Sequence, residues 1–313
     1  MFSYAHKHLP GAQGAQEVQD ALRPHQRHTP HSPATLALRI ATALHNSALA
    51  NGHNACQPLQ HLLRSGGSDT LFLPFESMPA TEFAPGLTIQ NLTAPQKLSD
   101  YKLIAFDMDS TLITIECIDE IADATGKKAE VAAITEATMR GEIADFKESL
   151  RLRVGKLVGV TEADMQRVLT ERLQLTPGAQ TLVQAAQAAG LKVLLVSGGF
   201  TFFAEHVRGL LNIDFVRANV LETQHGVLTG RLVEQAWGDI CDGAEKRRTL
   251  LEVASLLGIS PAQCIAVGDG SNDIPMMQAA GLSVAYHAKP RVRAEAKVCI
   301  NEGGLDRLLE VLQ

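Results

Sequence analysis

The chain has 313 residues, 45% hydrophobic and 20% charged, enough to bury a full core in one large domain or two smaller ones. A net charge of −6 lacks the basic footprint of a nucleic-acid binder, and no apolar run reaches the length that spans a bilayer. Five scattered cysteines without a C-x-x-C argue against a disulfide framework and a zinc site, and no charged-then-apolar segment opens the chain, so the cytoplasm is the expected compartment.

Residues 1–33 are rich in His, Gln, Pro and Ala without apolar periodicity, which predicts a disordered tail. Its His6, His8, His25, His28 and His31 are too irregularly spaced to fix a metal geometry. Residues 34–98 read as a small N-terminal extension or subdomain, with helical spacing over 34–50 and a short apolar run, Leu71 to Phe75, broken by Pro74. From Asp100 onward, strands alternate with helices, which predicts an α/β domain over 99–313 built on a Rossmann-like parallel sheet. KLIAF (102–106) leads into Asp107, KVLLV (192–196) into Ser197, and CIAV (264–267) into Gly268 and Asp269. Open α/β sheets bind ligands beyond the carboxyl ends of their strands, so three polar clusters at three strand ends predict one site. About eighty residues separate the first two strands, far more than one crossover helix needs. The stretch 118–175, with Ile118, Ile121, Val131, Ile134, Phe146 and Leu150 among its apolar positions, is the expected helical cap. Residues 218–232 alternate around Gly226 as a β-hairpin does.

The first cluster is D107-M-D-S-T111. In an extended segment Asp107 and Asp109 point the same way while Met108 faces elsewhere, so both carboxylates can meet one ligand. Two such carboxylates repel unless a proton or cation intervenes, which suits a division between nucleophile and proton donor. Mg²⁺ takes oxygen ligands, typically one or two carboxylates plus phosphate oxygens and water, and Asp269 offers the second carboxylate. D-x-D alone also describes a capped turn; a second acidic cluster after another strand, G268-D-G-S-N-D273, favours the site. Ser197-Gly198-Gly199 follows a buried strand and precedes a helix expected from Phe200 to Leu211, where backbone N–H groups bind phosphate. Lys246, which opens a helix expected to run to Leu257 just before the GDGSND strand, is the candidate cation for phosphoryl charge, although a lone helical lysine is ordinarily a surface charge.

In this order, D107-M-D-S-T111, Ser197, Lys246 and G268-D-G-S-N-D273 resemble the haloacid dehalogenase-like phosphatases. ITIECIDEIAD (113–123), F146-KESLRLR153 and YHAKP (286–290) narrow the resemblance, which runs from about Leu98 to Gln313, to the phosphoserine phosphatases of that superfamily. The resemblance implies a Rossmann-like core with an inserted cap, Asp107 as nucleophile and Asp109 as the acid and base. It implies Mg²⁺ held by the Asp107 carboxylate, the Asp109 carbonyl and Asp269. Ser197, Gly198 and Lys246 would hold phosphoryl oxygens, Asn272 would contact the phosphate, and Asp273 would orient Lys246 or a metal-bound water. Phosphoserine carries an ammonium and a carboxylate; Glu116 suits the first and the planar fork of Arg153 the second. Phe146 would cover the pocket and exclude water. Met139 is left outside the site.

Residues 34–98 are short for the ferredoxin-like regulatory domain found in many such enzymes and lack its βαββαβ pattern, so allosteric serine binding is not expected. The expected reaction is hydrolysis of L-phosphoserine, the last step of serine synthesis. Transfer of the phosphoryl group to an alcohol such as homoserine, and hydrolysis of another small phosphometabolite, are the alternatives; a catalytically dead sensor is disfavoured by the presence of both aspartates. The partner is a small molecule, not nucleic acid or membrane, and a homodimer is compatible with the chain.

Overall fold

The computed structural model describes residues 80–92, 96–238 and 240–312. The expected tail with its five histidines, the helix over 34–50 and the run at 71–75 lie outside these residues.

Nine strands form one sheet: β1 (Thr81–Ala84), β2 (Leu87–Ile89), β3 (Leu103–Phe106), β4 (Lys192–Phe200), β5 (Phe215–Gln224), β6 (Val227–Val233), β7 (Cys264–Gly268), β8 (Leu282–Tyr286) and β9 (Val298–Ile300). Their order is β1-β2-β9-β8-β7-β3-β4-β5-β6. The six central strands, β9 through β5, are parallel, and the antiparallel strands lie at the two edges. Strands β3, β7 and β8 are buried at every position, as strands covered on both faces must be; β3 and β7 accordingly read as apolar runs, and β8 is interrupted by the buried Ser283. Successive residues serve opposite faces. Ile104, Phe106, Val193, Leu195, Ile265 and Val267 join one apolar cluster. Leu103, Ala105, Leu194, Val196, Cys264 and Ala266 join the other.

Helices α1 (Cys117–Ala124), α2 (Lys128–Met139), α3 (Phe146–Gly155) and α4 (Glu162–Glu171) fill the long connection from β3 to β4. Helices α5 (Ala179–Ala188) and α6 (Thr201–Leu211) pack on the first face of the sheet. Helices α7 (Gly243–Leu256), α8 (Ile274–Ala279) and α9 (Pro290–Glu295) cover the second. The chain winds from β3 outward through β4 and β5, then returns to the other side of β3 as β7. Strand β3 therefore sits at the topological switch point, where a crevice opens beyond the strand ends.

The cap has a narrow neck. Ile113 pairs antiparallel with Leu175, Thr114 N–H donates to the Gln174 carbonyl at 3.0 Å, and Thr176 N–H to the Leu112 carbonyl at 2.9 Å. A second attachment joins the cap to the β5–β6 hairpin. Gly159 N–H donates to Leu228 O at 3.0 Å, Leu228 N–H to Val160 O at 2.8 Å, and Glu162 N–H to Gly226 O at 2.9 Å.

The β1–β2 hairpin, which lies within the stretch 34–98 read as an extension, pairs through β2 with β9 and continues the same sheet. Two short strands with mostly exposed or half-buried positions carry little apolar periodicity, so the join was not evident from sequence. Strand β4 also runs through Ser197-Gly198-Gly199 to Phe200, and α6 begins one residue later than expected, at Thr201.

Gly178 starts α5 with φ +77°, and an added Cβ would meet Asp306 N at 2.6 Å and the Asp306 carboxylate still closer. Gly178→Ala combines left-handed strain with a backbone clash, and should lower unfolding stability by about 2 kcal/mol or more in a urea titration.

Candidate active site

Asp107 follows β3 in an extended conformation (φ −69°, ψ 164°), and its N–H is fixed by the Val267 carbonyl of β7 at 3.0 Å. Its Oδ1 accepts from Met108 N–H at 2.7 Å. The chain then coils through Met108–Leu112, with Asp109 at φ −62°, ψ 134° and Ser110 left-handed at φ 54°. The motif is thus a turn rather than an extended segment, and simple alternation does not align the two carboxylates. Asp109 is set by other contacts. Its Oδ1 accepts from Cys117 N–H at 3.1 Å, at the start of α1. A Cβ on Gly199 would come within 2.5 Å of Asp109 Oδ2, so the carboxylate occupies space that only glycine leaves free. The Ser110 hydroxyl donates to Glu116 Oε1 at 2.7 Å.

Lys246 is fully buried on α7, its Nζ lying 2.7 Å from Asp107 Oδ1 and 2.6 Å from Asp273 Oδ1. Burial alone would push the ammonium pKa down, but the two carboxylates outweigh it and hold the pKa above the usual lysine range. Asp273 is saturated: its Oδ2 accepts from Asp269 N–H at 3.2 Å and Gly270 N–H at 2.9 Å. Asp269 accepts from the Thr111 hydroxyl at 3.1 Å. Asp107, Asp269 and Asp273 each offer a carboxylate oxygen within 4.8 Å of the others.

Burial and the Asp273 charge raise the Asp107 pKa well above the usual carboxylate range despite Lys246. Burial, then Asp273 and Glu116, lifts Asp269 to about 6. Asp109 is pushed up to about 7, first by burial and then by Glu116, with the Cys117 hydrogen bond opposing. The expected Asp107–Asp109 repulsion is therefore not what dominates either group. After burial, Asp107 answers to the GDGSND aspartates and Lys246, and Asp109 to Glu116.

The remaining candidates gather around this pair. Ser197 is fully buried at the end of β4, and Gly199 N–H donates to its Oγ at 2.8 Å. A Cβ on Gly198 would lie 3.1 Å from Phe146 Cζ, which places the cap's Phe146 ring directly over the glycine loop. Asn272 Oδ1 would stand 2.3 Å from a Cβ on Gly270, so the amide folds over that loop. Arg153, half-buried on α3, has a buried Nε with no hydrogen-bond partner. Burial lowers its pKa, and Asp119, Glu116 and Asp109 act in the opposite sense. Glu116 and Met139 are exposed, Met139 at 75%. Sequence reasoning missed Cys117, whose N–H follows from its place at the start of a helix, and the Ser110 hydroxyl, a residue inside the quoted motif. It also missed Asp119, whose effect on Arg153 crosses from α1 to α3 without any local trace.

Residues 101–281 match the haloacid dehalogenase-like hydrolases. The chain belongs to that family. A phosphoserine phosphatase of Polaromonas sp. (strain JS666 / ATCC BAA-500) is 68% identical over 236 residues, 75% of this chain and all of the relative. One from Albidiferax ferrireducens is 66% identical over the same extents. The solved structure of a phospho-aspartyl intermediate analogue of phosphoserine phosphatase shares 36% identity, with a TM-score of 0.62, over 68% of this chain and 99% of that one. These likenesses place the chain among the phosphoserine phosphatases of the superfamily.

The donor set fits a hard divalent cation. The Asp107 and Asp269 carboxylates converge beside Asp273, which is engaged with Lys246, and both carry raised pKa values from burial and neighbouring carboxylates, which a cation would reverse. The sign of the metal-free pH dependence follows. With native pKa values of about 7 for Asp109 and 6 for Asp269 against 3.8 as the ordinary value, the native state holds protons that the unfolded chain has released between these limits. Their contribution to stability is complete below the ordinary value and is lost as pH rises through about 6 to 7. A cation needs the carboxylates ionised, so its stabilisation grows over the same interval. Thermal melts in Mg²⁺ and in EDTA should diverge from pH 5 to 7.5, by about 3 °C or more at the upper end. Asp269→Asn should remove most of the divergence; a gap that does not change with pH would contradict the assignment.

Proposed function

We propose that the chain hydrolyses L-phosphoserine to L-serine and phosphate through an aspartyl-phosphate on Asp107, as a Mg²⁺-dependent cytoplasmic enzyme completing serine synthesis. The observation that carries the substrate reading is the buried, unpartnered Nε of Arg153. A buried guanidinium nitrogen without a partner is costly, and a carboxylate is the ligand whose two oxygens match its fork. Glu116 acts electrostatically on both Arg153 and Asp109, so an ammonium, a carboxylate and the reacting oxygen can be served from one small space.

The chemistry follows from the hydrogen bonds. Asp107 Oδ1 is committed to Met108 N–H and Lys246, which leaves Oδ2 to attack phosphorus. As the Oδ2–P bond forms, the P–O bond to the seryl oxygen breaks, and protonated Asp109 delivers its proton to that oxygen. A pKa near 7 suits this reversible role at neutral pH. Asp109 then takes a proton from water as its oxygen attacks phosphorus, and the Asp107 carboxylate departs from inorganic phosphate. Lys246, Ser197 and the Gly198 backbone would hold the phosphoryl oxygens, with Asn272 beside them. Mg²⁺ would be held by the Asp107 and Asp269 carboxylates and the Asp109 carbonyl, where it neutralises phosphoryl charge. Asp273, which accepts from Lys246 and from two backbone N–H groups, would orient Lys246 or a metal-bound water. Phe146 over Gly198 would keep water from the glycine loop until the cap opens.

Phosphate release with Mg²⁺ should be measured on L- and D-phosphoserine, phosphothreonine, phosphohomoserine and a sugar phosphate, with and without an acceptor alcohol. L-phosphoserine should be preferred, with phosphate release unaffected by the alcohol. Preference for the sugar phosphate would overturn the Glu116 and Arg153 roles while sparing the aspartyl-phosphate. Asp107→Asn should lower kcat by at least about 10³-fold in a folded protein. Glu116→Gln should raise KM for phosphoserine roughly ten-fold and spare KM for a phosphomonoester without an ammonium group, while moving the pH profile of both to lower pH because Asp109 loses the charge that raises its pKa.

A further inference from the structure

The parallel ladder between β4 and β5 runs to the pair Val196–Arg217 and resumes only at Phe200–Asn219. Ser197, Gly198 and Gly199 therefore stand opposite the single residue Ala218, and the strand bulges toward the site. A bulge leaves main-chain groups without ladder partners, and buried ones need substitutes. Asn219, 1% exposed, supplies one: its Nδ2 donates to the Gly198 carbonyl at 2.8 Å. The other end of the same amide accepts from Cys241 N–H at 2.8 Å. Turning the amide over would set donor against donor and acceptor against acceptor, so its orientation is fixed.

Both bonds reach groups that act on phosphate. Across a trans peptide the C=O and N–H point in opposite directions. With the Gly198 oxygen drawn to Asn219, the Gly199 N–H is directed the other way, where it donates to Ser197 Oγ. That oxygen is then engaged as an acceptor, and its own proton is left for a phosphoryl oxygen. At the other end, Cys241 directly precedes Asp242, whose side chain caps α7 by accepting from Glu245 N–H at 2.9 Å. Lys246 is the next residue along that helix.

We infer that Asn219 is a positioning residue for phosphoryl recognition, a brace fixing the Ser197–Gly199 bulge at its set distance from the helix that carries Lys246. The inference rests on the reading that Ser197, Gly198 and Lys246 hold the phosphoryl group. Asn219 touches no reacting atom; it acts through the Gly198 peptide and the α7 cap.

The test compares Asn219→Asp, Asn219→Ser, Ser197→Ala and the double variant Asn219→Asp/Ser197→Ala with the unmodified full chain. KM for L-phosphoserine and Ki for inorganic phosphate are measured in Mg²⁺, with melting curves to score folding. Asn219→Asp keeps the shape but turns an acceptor toward the Gly198 carbonyl; Asn219→Ser withdraws the reach without adding charge, and carries the measurement if the aspartate variant does not fold. Each should raise KM and Ki together by about ten-fold. In the Ser197→Ala background the aspartate change should add less than it does alone, because the route through the Ser197 hydroxyl is already lost and only the route through the α7 cap remains. A lowered melting temperature with unchanged KM and Ki, or fully additive effects, overturns the proposal. If Ser197→Ala itself leaves Ki unchanged, the phosphoryl reading of the loop is what fails, and the role given to Asn219 falls with it.

Discussion

Everything at the strand ends depends on one buried ammonium. Lys246 is held between Asp107 and Asp273 with no exposure to solvent, and an unpaired charge there would be strongly destabilising. The pairing ties three chain segments together: Asp107 at the end of β3, Asp273 beyond β7, and α7 between the hairpin and β7. It also divides the labour of the aspartates. Asp273, which takes backbone N–H groups on its second oxygen, is bound to the lysine as a fixed counter-ion. Asp107 has one oxygen engaged and so remains able to react. Glycine at 268 is part of the same constraint, since a Cβ there would lie 2.4 Å from the Asp273 carboxylate.

The parallel sheet and the convergence of three polar clusters were legible because buried strands leave a strong trace, an unbroken apolar run ending in Asp, Ser or Gly. Other features lie in contacts distant along the chain. Nothing local distinguishes Lys246 from a solvated helical lysine; its nature is set by Asp273, 27 positions on. The Asp107–Leu112 turn was misread as extended because the left-handed residue is Ser110, and a serine gives no warning of positive φ as glycine would. The side-chain brace at Asn219 was invisible for a related reason. It serves a bulge created by pairing between two strands, and such a bulge exists only once the sheet is assembled.

The proposed mechanism asks Asp109 to act first as acid and then as base although Asp107 lies two residues away, and the surroundings of the two carboxylates bear on that. If repulsion between those two were dominant, ionisation of the nucleophile would hold the proton on Asp109, and it would be slow to return as a base. The turn instead lodges Asp109 against the start of α1 and the Gly199 space, where Glu116 is its strongest charged neighbour. The nucleophile is governed by Lys246 and the GDGSND loop. Burial raises both carboxylates, and the charges that act on them differ: Asp273, Asp269 and Lys246 on Asp107, and chiefly Glu116 on Asp109.

In the proposed reading the cap contributes to substrate recognition through one helix. Phe146 and Arg153 are seven residues apart on α3, two turns, and so share a face. One brings an aromatic ring over Gly198 and the other a fork with a free buried nitrogen. Any displacement of α3 as a rigid rod therefore uncovers the glycine loop and withdraws the guanidinium together. The helix is not free to tilt alone, since Ser149 meets Thr138 of α2 at 2.7 Å and the loop after α3 is hydrogen-bonded to the hairpin. That hairpin is the continuation of β5, the strand carrying Asn219. The same strand thus bonds to the bulge through Asn219 and leads into the hairpin that holds the cap, so under the proposed reading the recognition of the amino-acid end and of the phosphate share one support.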